Sequence, residues 1–367
     1  MGAGTTGTII GNEVSGALLE SPDWSGSGII VASSSDVEIS NNYVHNSEGG
    51  IQILGYTEYQ GRPAAMENLI ENNLVEGNEC GISVQGNSIG TIIRYNDVLN
   101  NDVGIGSMAY DLSWPEHSTP TGTEVHYNNI VDNKDYGVKS VVWGSDTGGV
   151  LAEEVDATNN WWGHSSGPGT VGSGSGDTVS TNVDYEPWLL EIDGPSFDKT
   201  LTLQDGWTLI SPDKRTDGSE VWIGGTLALK YTPTGGFVEA TSADLGPLTA
   251  IYIKTDGSGG IGFNYAEEEP TMLSKELEAG WNLLSIPDMA ADTCDILSPL
   301  RYITIGTQQG IGLATLVSQG DYNQFASNFY EATLTDDDWT NLPILYPFDG
   351  YWAYMNAAKT FEVIPVR

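Results

Sequence analysis

Residues 70–96 read Ile70-Glu71-Asn72-Asn73-Leu74-Val75-Glu76-Gly77-Asn78-Glu79-Cys80-Gly81-Ile82-Ser83-Val84-Gln85-Gly86-Asn87-Ser88-Ile89-Gly90-Thr91-Ile92-Ile93-Arg94-Tyr95-Asn96. Two features of this stretch recur through the first half of the chain. An asparagine stands three positions after an apolar residue, as in Ile70-Glu71-Asn72-Asn73 and Ile93-Arg94-Tyr95-Asn96. Between those asparagines, Gly81-Ile82 opens a short alternating strand, Ile82-Ser83-Val84. Working outward, the asparagine returns as Asn12, Asn42, Asn73, Asn96, Asn128 and Asn160, at spacings of 30, 31, 23, 32 and 32 residues. The glycine returns before a β-branched residue in Gly50-Ile51, Gly104-Ile105 and Gly137-Val138.

Short strands separated by Asn/Gly turns at this period are the mark of a solenoid. One coil cannot bury its own apolar face. Stacked at the strand spacing of ~4.8 Å, successive coils share a core and satisfy each other's backbone groups. A buried asparagine amide then bonds its equivalent in the next coil, as a ladder. This predicts that the asparagine recurs while its neighbours vary. The spacing of 23 approximates a bare coil, so the longer spacings need insertions, at Leu54–Met66 and Ser107–Gly122.

On these residues the first half resembles the parallel β-helix repeats of secreted pectate-lyase-like and NosD-like proteins, over roughly residues 5–190. A closing segment is also similar to the ends of β-helices in archaeal and bacterial surface proteins. It comprises Asn159-Asn160-Trp161-Trp162-Gly163, Gly167-Pro168 and Val183-Asp184-Tyr185-Glu186-Pro187-Trp188-Leu189. Trp161, Trp162 and Trp188 are expected to cover the open end of the solenoid, whose strand edges would otherwise aggregate. Such repeats occur in enzymes and non-enzymes alike, so the fold does not decide the function.

After Leu190 the asparagine pattern stops. Two similar phrases appear, Asp205-Gly206-Trp207-Thr208-Leu209-Ile210-Ser211-Pro212 and Ala279-Gly280-Trp281-Asn282-Leu283-Leu284-Ser285-Ile286-Pro287. Each precedes an aromatic alternating strand, Ala250–Lys254 and Gly350–Met355. The predicted architecture is all-β: a right-handed parallel β-helix over 1–190, then two small tandem β-sandwich-like modules over 195–272 and 273–367. Trp207 and Trp281 are expected as their core anchors, and one short helix near Thr293–Leu300. The phrases resemble the GWN…GYW modules of archaeal and bacterial cell-surface proteins, including S-layer-associated ones. That resemblance implies a surface location and no reaction.

The 367-residue chain carries 50 Asp+Glu against 13 Lys+Arg, a formal net charge of −37. Such a surface repels phosphate backbones and anionic lipid, so neither nucleic acid nor a membrane surface is an expected partner. No apolar run approaches the ~20 residues of a membrane span. The sequence begins inside a repeat and shows no signal peptide at Met1-Gly2-Ala3-Gly4, which suggests a piece of a longer secreted protein. Cys80 and Cys294 form no CxxC, excluding thiol zinc sites and dithiol redox motifs. Ca²⁺ is the one cofactor suggested, at the carboxylate-rich Asp213…Asp217 loop and at Asp336-Asp337-Asp338; neither follows EF-hand spacing, and solvated turns are the better reading of both.

Three catalytic readings are weaker than their structural alternatives. Lyase chemistry needs a basic residue beside Ca²⁺-binding carboxylates, and the first half offers few cations besides Arg62, Arg94, Lys134 and Lys139. Arg94 falls in the column of Ser40, Glu71 and His126, an outward one. Paired-carboxylate hydrolysis would draw on Asp97, Asp102, Asp111, Glu116 and Asp132, with His117 and His126, but no Asp-Asp pair appears in the first half. Cys80 shares a column with Gly49, Val103 and Tyr136 and reads as a buried small hydrophobe. Tyr56, Tyr110 and Trp114 on the insertions would stack on sugar rings or pack the loops down. The sequence therefore favours a non-catalytic extracellular or cell-surface protein, structural or binding, with a cell-surface glycan or copies of itself as partner. Self-assembly into a layer, sheath or filament is one form of it. A carbohydrate-active or carbohydrate-binding β-helix protein is the alternative.

Overall fold

The computed structural model describes residues 4–19, 26–56, 63–110, 118–143, 151–267, 273–285, 313–318, 350–355 and 357–363. Arg62, Asp111, Trp114, Glu116, His117, Cys294, Asp336, Asp337, Asp338 and the helix expected near Thr293–Leu300 lie outside them. The chain divides into two compact units, Met1–Thr202 and Leu203–Arg367. The described residues are almost wholly β, with a single 3-10 turn at Ser242–Asp244.

In the first unit the chain winds through three large parallel sheets, with a small two-stranded one formed by Ala65–Met66 and Ser88–Ile89. The first sheet stacks Gly7–Ile10, Val37–Ser40, Leu69–Glu71, Ile92–Arg94, Glu124–His126, Val155–Asp156 and Val183–Asp184. The second stacks Glu13–Ser15, Tyr43–His45, Leu74–Glu76, Asp97–Leu99 and Asn129–Val131. The third holds the strands opened by glycine, including Gly49–Gly55, Cys80–Gly86, Val103–Tyr110 and Tyr136–Trp143. Register is kept from coil to coil, so Ile39, Ile70, Ile93 and Val125 form one inward column of fully buried side chains. Val44, Val75, Val98 and Ile130 form a second, and Ile51, Ile82, Ile105 and Val138 a third. Each coil thus supplies the apolar surface its neighbours need, which no coil has alone.

The corners explain the paired asparagines. Gly11, Asn41, Asn72, Tyr95, Tyr127 and Asn159 all adopt φ between 55° and 69°. Asn tolerates this left-handed region better than other non-glycine residues. The turn aims the following residue inward, and that residue is the ladder asparagine. Asn42 donates from N and Nδ2 to Asn73 Oδ1 at 2.9 Å, and Asn73 does the same to Asn96 Oδ1 at 2.9 and 3.0 Å. The pattern runs from Asn12 through Asn128 to Asn160.

A second ladder occupies the next corner. Asn78, Asn101 and Asn133 repeat the same geometry, with Asn78 N and Nδ2 donating to Asn101 Oδ1 at 3.0 Å. Ser47 starts it, and Asp177 ends it by accepting from Asn133 N at 2.9 Å and Nδ2 at 2.7 Å. The recurring glycines of the third sheet have a steric cause here. A Cβ at Gly81 would lie 2.7 Å from Gly104 O and 2.9 Å from Asn101 Nδ2, so the ladder leaves no room for a side chain. Trp162 and Trp188 are buried at the last coils, and Trp188 Nε1 donates to Ser165 O at 3.0 Å.

In the second unit the two Gly-Trp phrases form the same structure. Gly206–Ile210 runs antiparallel to Ile251–Phe263, placing Trp207 opposite Lys254 and Leu209 opposite Tyr252. Gly280–Ser285 runs antiparallel to Gly350–Met355, placing Trp281 opposite Tyr354 and Leu283 opposite Trp352. The tryptophans are not the core anchors expected. Alternation puts Ile210, Ile251 and Ile253, or Leu284, Tyr351 and Ala353, into the cores, so the opposite face carries the tryptophans. Trp207 is half-buried and Trp281 is 41% exposed.

Candidate functional site: the outward face of the third sheet

The strands of the third sheet turn one row of side chains inward and the next outward. Outward rows are Ile30, Gln52, Ser83, Gly106 and Lys139, and Ala32, Leu54, Gln85, Met108 and Val141. Between them lies a groove of about 370 Å³. Its lining includes Gln52, Cys80, Ser83, Gln85, Met108 and Lys139, with Glu48, Glu79 and Trp143 also contributing. Gly106 makes room for the Met108 side chain on the floor: a Cβ there would meet Met108 Cε at 2.9 Å and Cys80 Sγ at 3.5 Å.

The polar floor is held in place. Ser27 Oγ donates to Gln52 Oε1 at 2.6 Å, Gln85 Nε2 donates to Ser83 Oγ at 3.0 Å, and Tyr110 OH donates to Gln85 Oε1 at 2.5 Å. Glu48 accepts from the backbone N–H groups of Leu19 and Gly26. Lys139 Nζ sits over the Tyr136 ring, 5.0 Å from its centroid. Trp143 is 51% exposed and tilts against Tyr110 at 6.2 Å. The arrangement offers amides, hydroxyls, an ammonium and an aromatic wall, the mix that recognises a polyhydroxylated ligand.

Several residues singled out by sequence stand elsewhere. Tyr110 is buried, spent on Gln85 and Trp143 rather than presented as a loop aromatic. Tyr56 is half-buried, and its carbonyl accepts from Asn87 Nδ2 at 3.0 Å. Trp143, which the sequence reading passed over, takes the exposed aromatic position; its signal is a tryptophan ending a strand whose outward row also holds Val141. Cys80 lines the groove and keeps some surface as a residue. Its thiol is enclosed, as the sequence leads one to expect, and that burial pushes it up to about 12, with the Lys139 ammonium drawing it the other way.

The candidate catalytic groups are spread over different faces. Arg94 Nε pairs with Glu71 Oε2 at 2.9 Å, and its guanidinium lies over Tyr95. Lys134 pairs with Asp102 at 3.2 Å, and Asp97 accepts from Asn129 Nδ2 at 2.6 Å. His126 lies 3.6 Å from Asp156 and 2.9 Å from Thr158 O, with Asp132 at a different corner. In the second unit, Asp213 is buried and accepts from Tyr265 OH at 2.6 Å, while Asp217 accepts from Ser219 N and Oγ within its own turn. These Ser219 bonds hold the Asp217 carboxyl below its usual value. Among the described residues no group of three or more His, Cys, Asp or Glu is placed to hold a metal ion.

Residues 2–183 match the family described as a right handed beta helix region. The β-helix of the first unit is therefore found by sequence as well as by coordinates. Two solved structures are similar to the chain. The Dettilon tailspike protein is 15% identical, with 71% of this chain and 64% of that chain covered and a TM-score of 0.33. The Pseudomonas phage phi297 tailspike is 10% identical, with 71% and 60% covered and a TM-score of 0.23. The chain spans less than two thirds of either tailspike. No curated protein matches it. No helix among the described residues is long and apolar enough to cross a membrane.

Proposed function

We propose that the chain is an extracellular or cell-surface β-helix protein that binds a glycan, without transforming it, along the outward face of the third sheet. The observation that carries this reading is the groove itself: a fixed floor of Gln52, Ser83 and Gln85 beside Lys139, flanked by exposed Trp143. Sugar hydroxyls pair with amides and hydroxyls, and sugar C–H faces stack on an indole. The net charge of −37 suits a soluble protein outside the cell and disfavours strongly anionic polymers. The duplicated phrases of the second unit resemble surface-protein modules, which supports the same location.

The test is a glycan array probed with the full chain, followed by titration of the best ligand. Trp143→Ala and Lys139→Ala should each weaken binding about tenfold, because both side chains face solvent and contribute little to the core. Binding unchanged in both variants would sink the groove as the site. Reducing-sugar or unsaturated-product formation on the bound glycan would replace binding by catalysis.

A further inference from the structure

The second unit carries an aromatic face that the groove does not involve. The two Gly-Trp strands and their partners place aromatic side chains at equivalent registers: Trp207 and Trp281 on one strand, Tyr252 and Trp352 on the next. Phe237 joins them through its rings' edges, lying 5.8 Å from Tyr252 and 6.0 Å from Trp352. Trp207 meets Tyr252 at 6.4 Å, and Trp281 meets Trp352 at 6.4 Å and Tyr354 at 5.2 Å. The result is one continuous aromatic face.

Three observations say what this face takes. First, it is open: Phe237 is 53% exposed, Trp281 41% and Tyr354 39%. A fold that buries Ile251, Ile253, Tyr351 and Ala353 does not need large aromatics repeated on its solvent side. Second, it is preorganised. The rings meet edge-to-face at 70° to 86°, and Trp352 Nε1 donates to Tyr252 OH at 3.1 Å, so little side-chain freedom is lost when a ligand lands. Third, it is nearly uncharged on a chain of −37. The strands that carry these rings, 206–210, 236–239, 251–255, 280–285 and 350–355, hold two charged residues, Lys254 and Glu239, of opposite sign. A second copy would bring the same large negative charge, and an anionic polymer would meet it too. A neutral ligand meets neither penalty.

We propose that the face formed by Trp207, Tyr252, Phe237, Trp352, Trp281 and Tyr354 binds a neutral polysaccharide chain, its pyranose C–H faces stacked on the rings and its hydroxyls left at the wet rim. The proposal rests on the second unit alone and stands or falls apart from the groove.

The experiment is affinity electrophoresis of the full chain in gels holding hydroxyethyl cellulose, mixed-linkage β-glucan or mannan, with polygalacturonate and alginate as anionic counterparts. At least one neutral polymer should retard the protein. Phe237→Ala and Trp281→Ala should each weaken that binding about tenfold or more. Trp281→Phe should recover most of it. If Trp281→Ala does not fold, Phe237→Ala carries the test, since its side chain is the more exposed. The proposal is overturned if no neutral polymer retards the wild-type chain, or if Phe237→Ala migrates as wild type does. It is also overturned if sedimentation shows a dimer that Phe237→Ala dissolves and the polymers do not.

Discussion

In the first unit one amide does the same task at the same corner in coil after coil, whereas in the second a Gly-Trp phrase occurs twice and the sheets are joined by rings. The two solutions fail differently. An amide in a ladder has several bonds in fixed directions, so its loss orphans partners above and below. A ring in a cluster contributes area and dispersion, so its loss is graded and local. The first unit should therefore respond to single substitutions in its polar interior, and the second to changes in what it buries.

The largest effect is expected at the middle of the first ladder. Asn96→Ala leaves Asn73 N and Nδ2 without Asn96 Oδ1 and removes one of the two donors to Asn128 Oδ1, the backbone N–H of residue 96 remaining, all buried. A loss of about 3–5 kcal/mol is expected in urea unfolding of the full chain. A loss as small as that of an exposed aromatic would erase the contrast between the units.

Lys275 is the counterpart in the second unit. Its Nζ donates to Leu248 O at 2.7 Å and Leu283 O at 2.8 Å, and burial lowers its ammonium to about 8. The folded chain then releases this proton before the unfolded chain does. Between about pH 8 and the unfolded value near 10.4 the unfolded state holds more protons, so stability rises with pH through that window. Lys275→Met should abolish the rise, read as unfolding midpoints from pH 7.5 to 10.

A smaller effect separates the two ladders. Every acceptor rung in the second ladder from Asn78 to Asn133 is an amide, yet its last is Asp177, whose carboxyl is raised by burial despite two bonds from Asn133. The folded chain therefore holds this proton longer than the unfolded chain. Stability on this account falls as pH rises from the unfolded value near 3.9 through the raised one, then stays level. Asp177→Asn should remove that dependence and add less than about 1 kcal/mol at neutral pH, its carboxyl being partly screened. The smallest effect is kinetic: Cys80 should alkylate slowly at pH 8, since a thiol near 12 presents little thiolate. Fast labelling would mean that the groove opens more widely than its lining shows.

The contrast also governs what could be read without coordinates. The first ladder was legible because six repetitions of Asn12, Asn42, Asn73, Asn96, Asn128 and Asn160 outweigh the changing neighbours. The second was missed although Asn78, Asn101 and Asn133 each stand five residues after a first-ladder asparagine. Ser47 and Asp177 at its two ends broke the pattern. The groove was not legible because its residues come from five coils and share only an outward direction, which depends on register. Trp281 misled because alternation in one strand does not tell which face is the core; Tyr351 and Ala353 opposite it decide that.

The ladders also have a sense of direction. Each rung gives its hydrogens to the rung that follows and receives from the one before, so the carboxamide dipoles point the same way along the axis. Aligned dipoles polarise one another, each strengthening the next. In the second ladder the hydrogen-bearing end meets the negative charge of Asp177, much as an anion seats at the amino end of a helix. The column is thus a polarised stack with a carboxyl group at its tip, in which each amide is strengthened by rungs beyond its immediate neighbours.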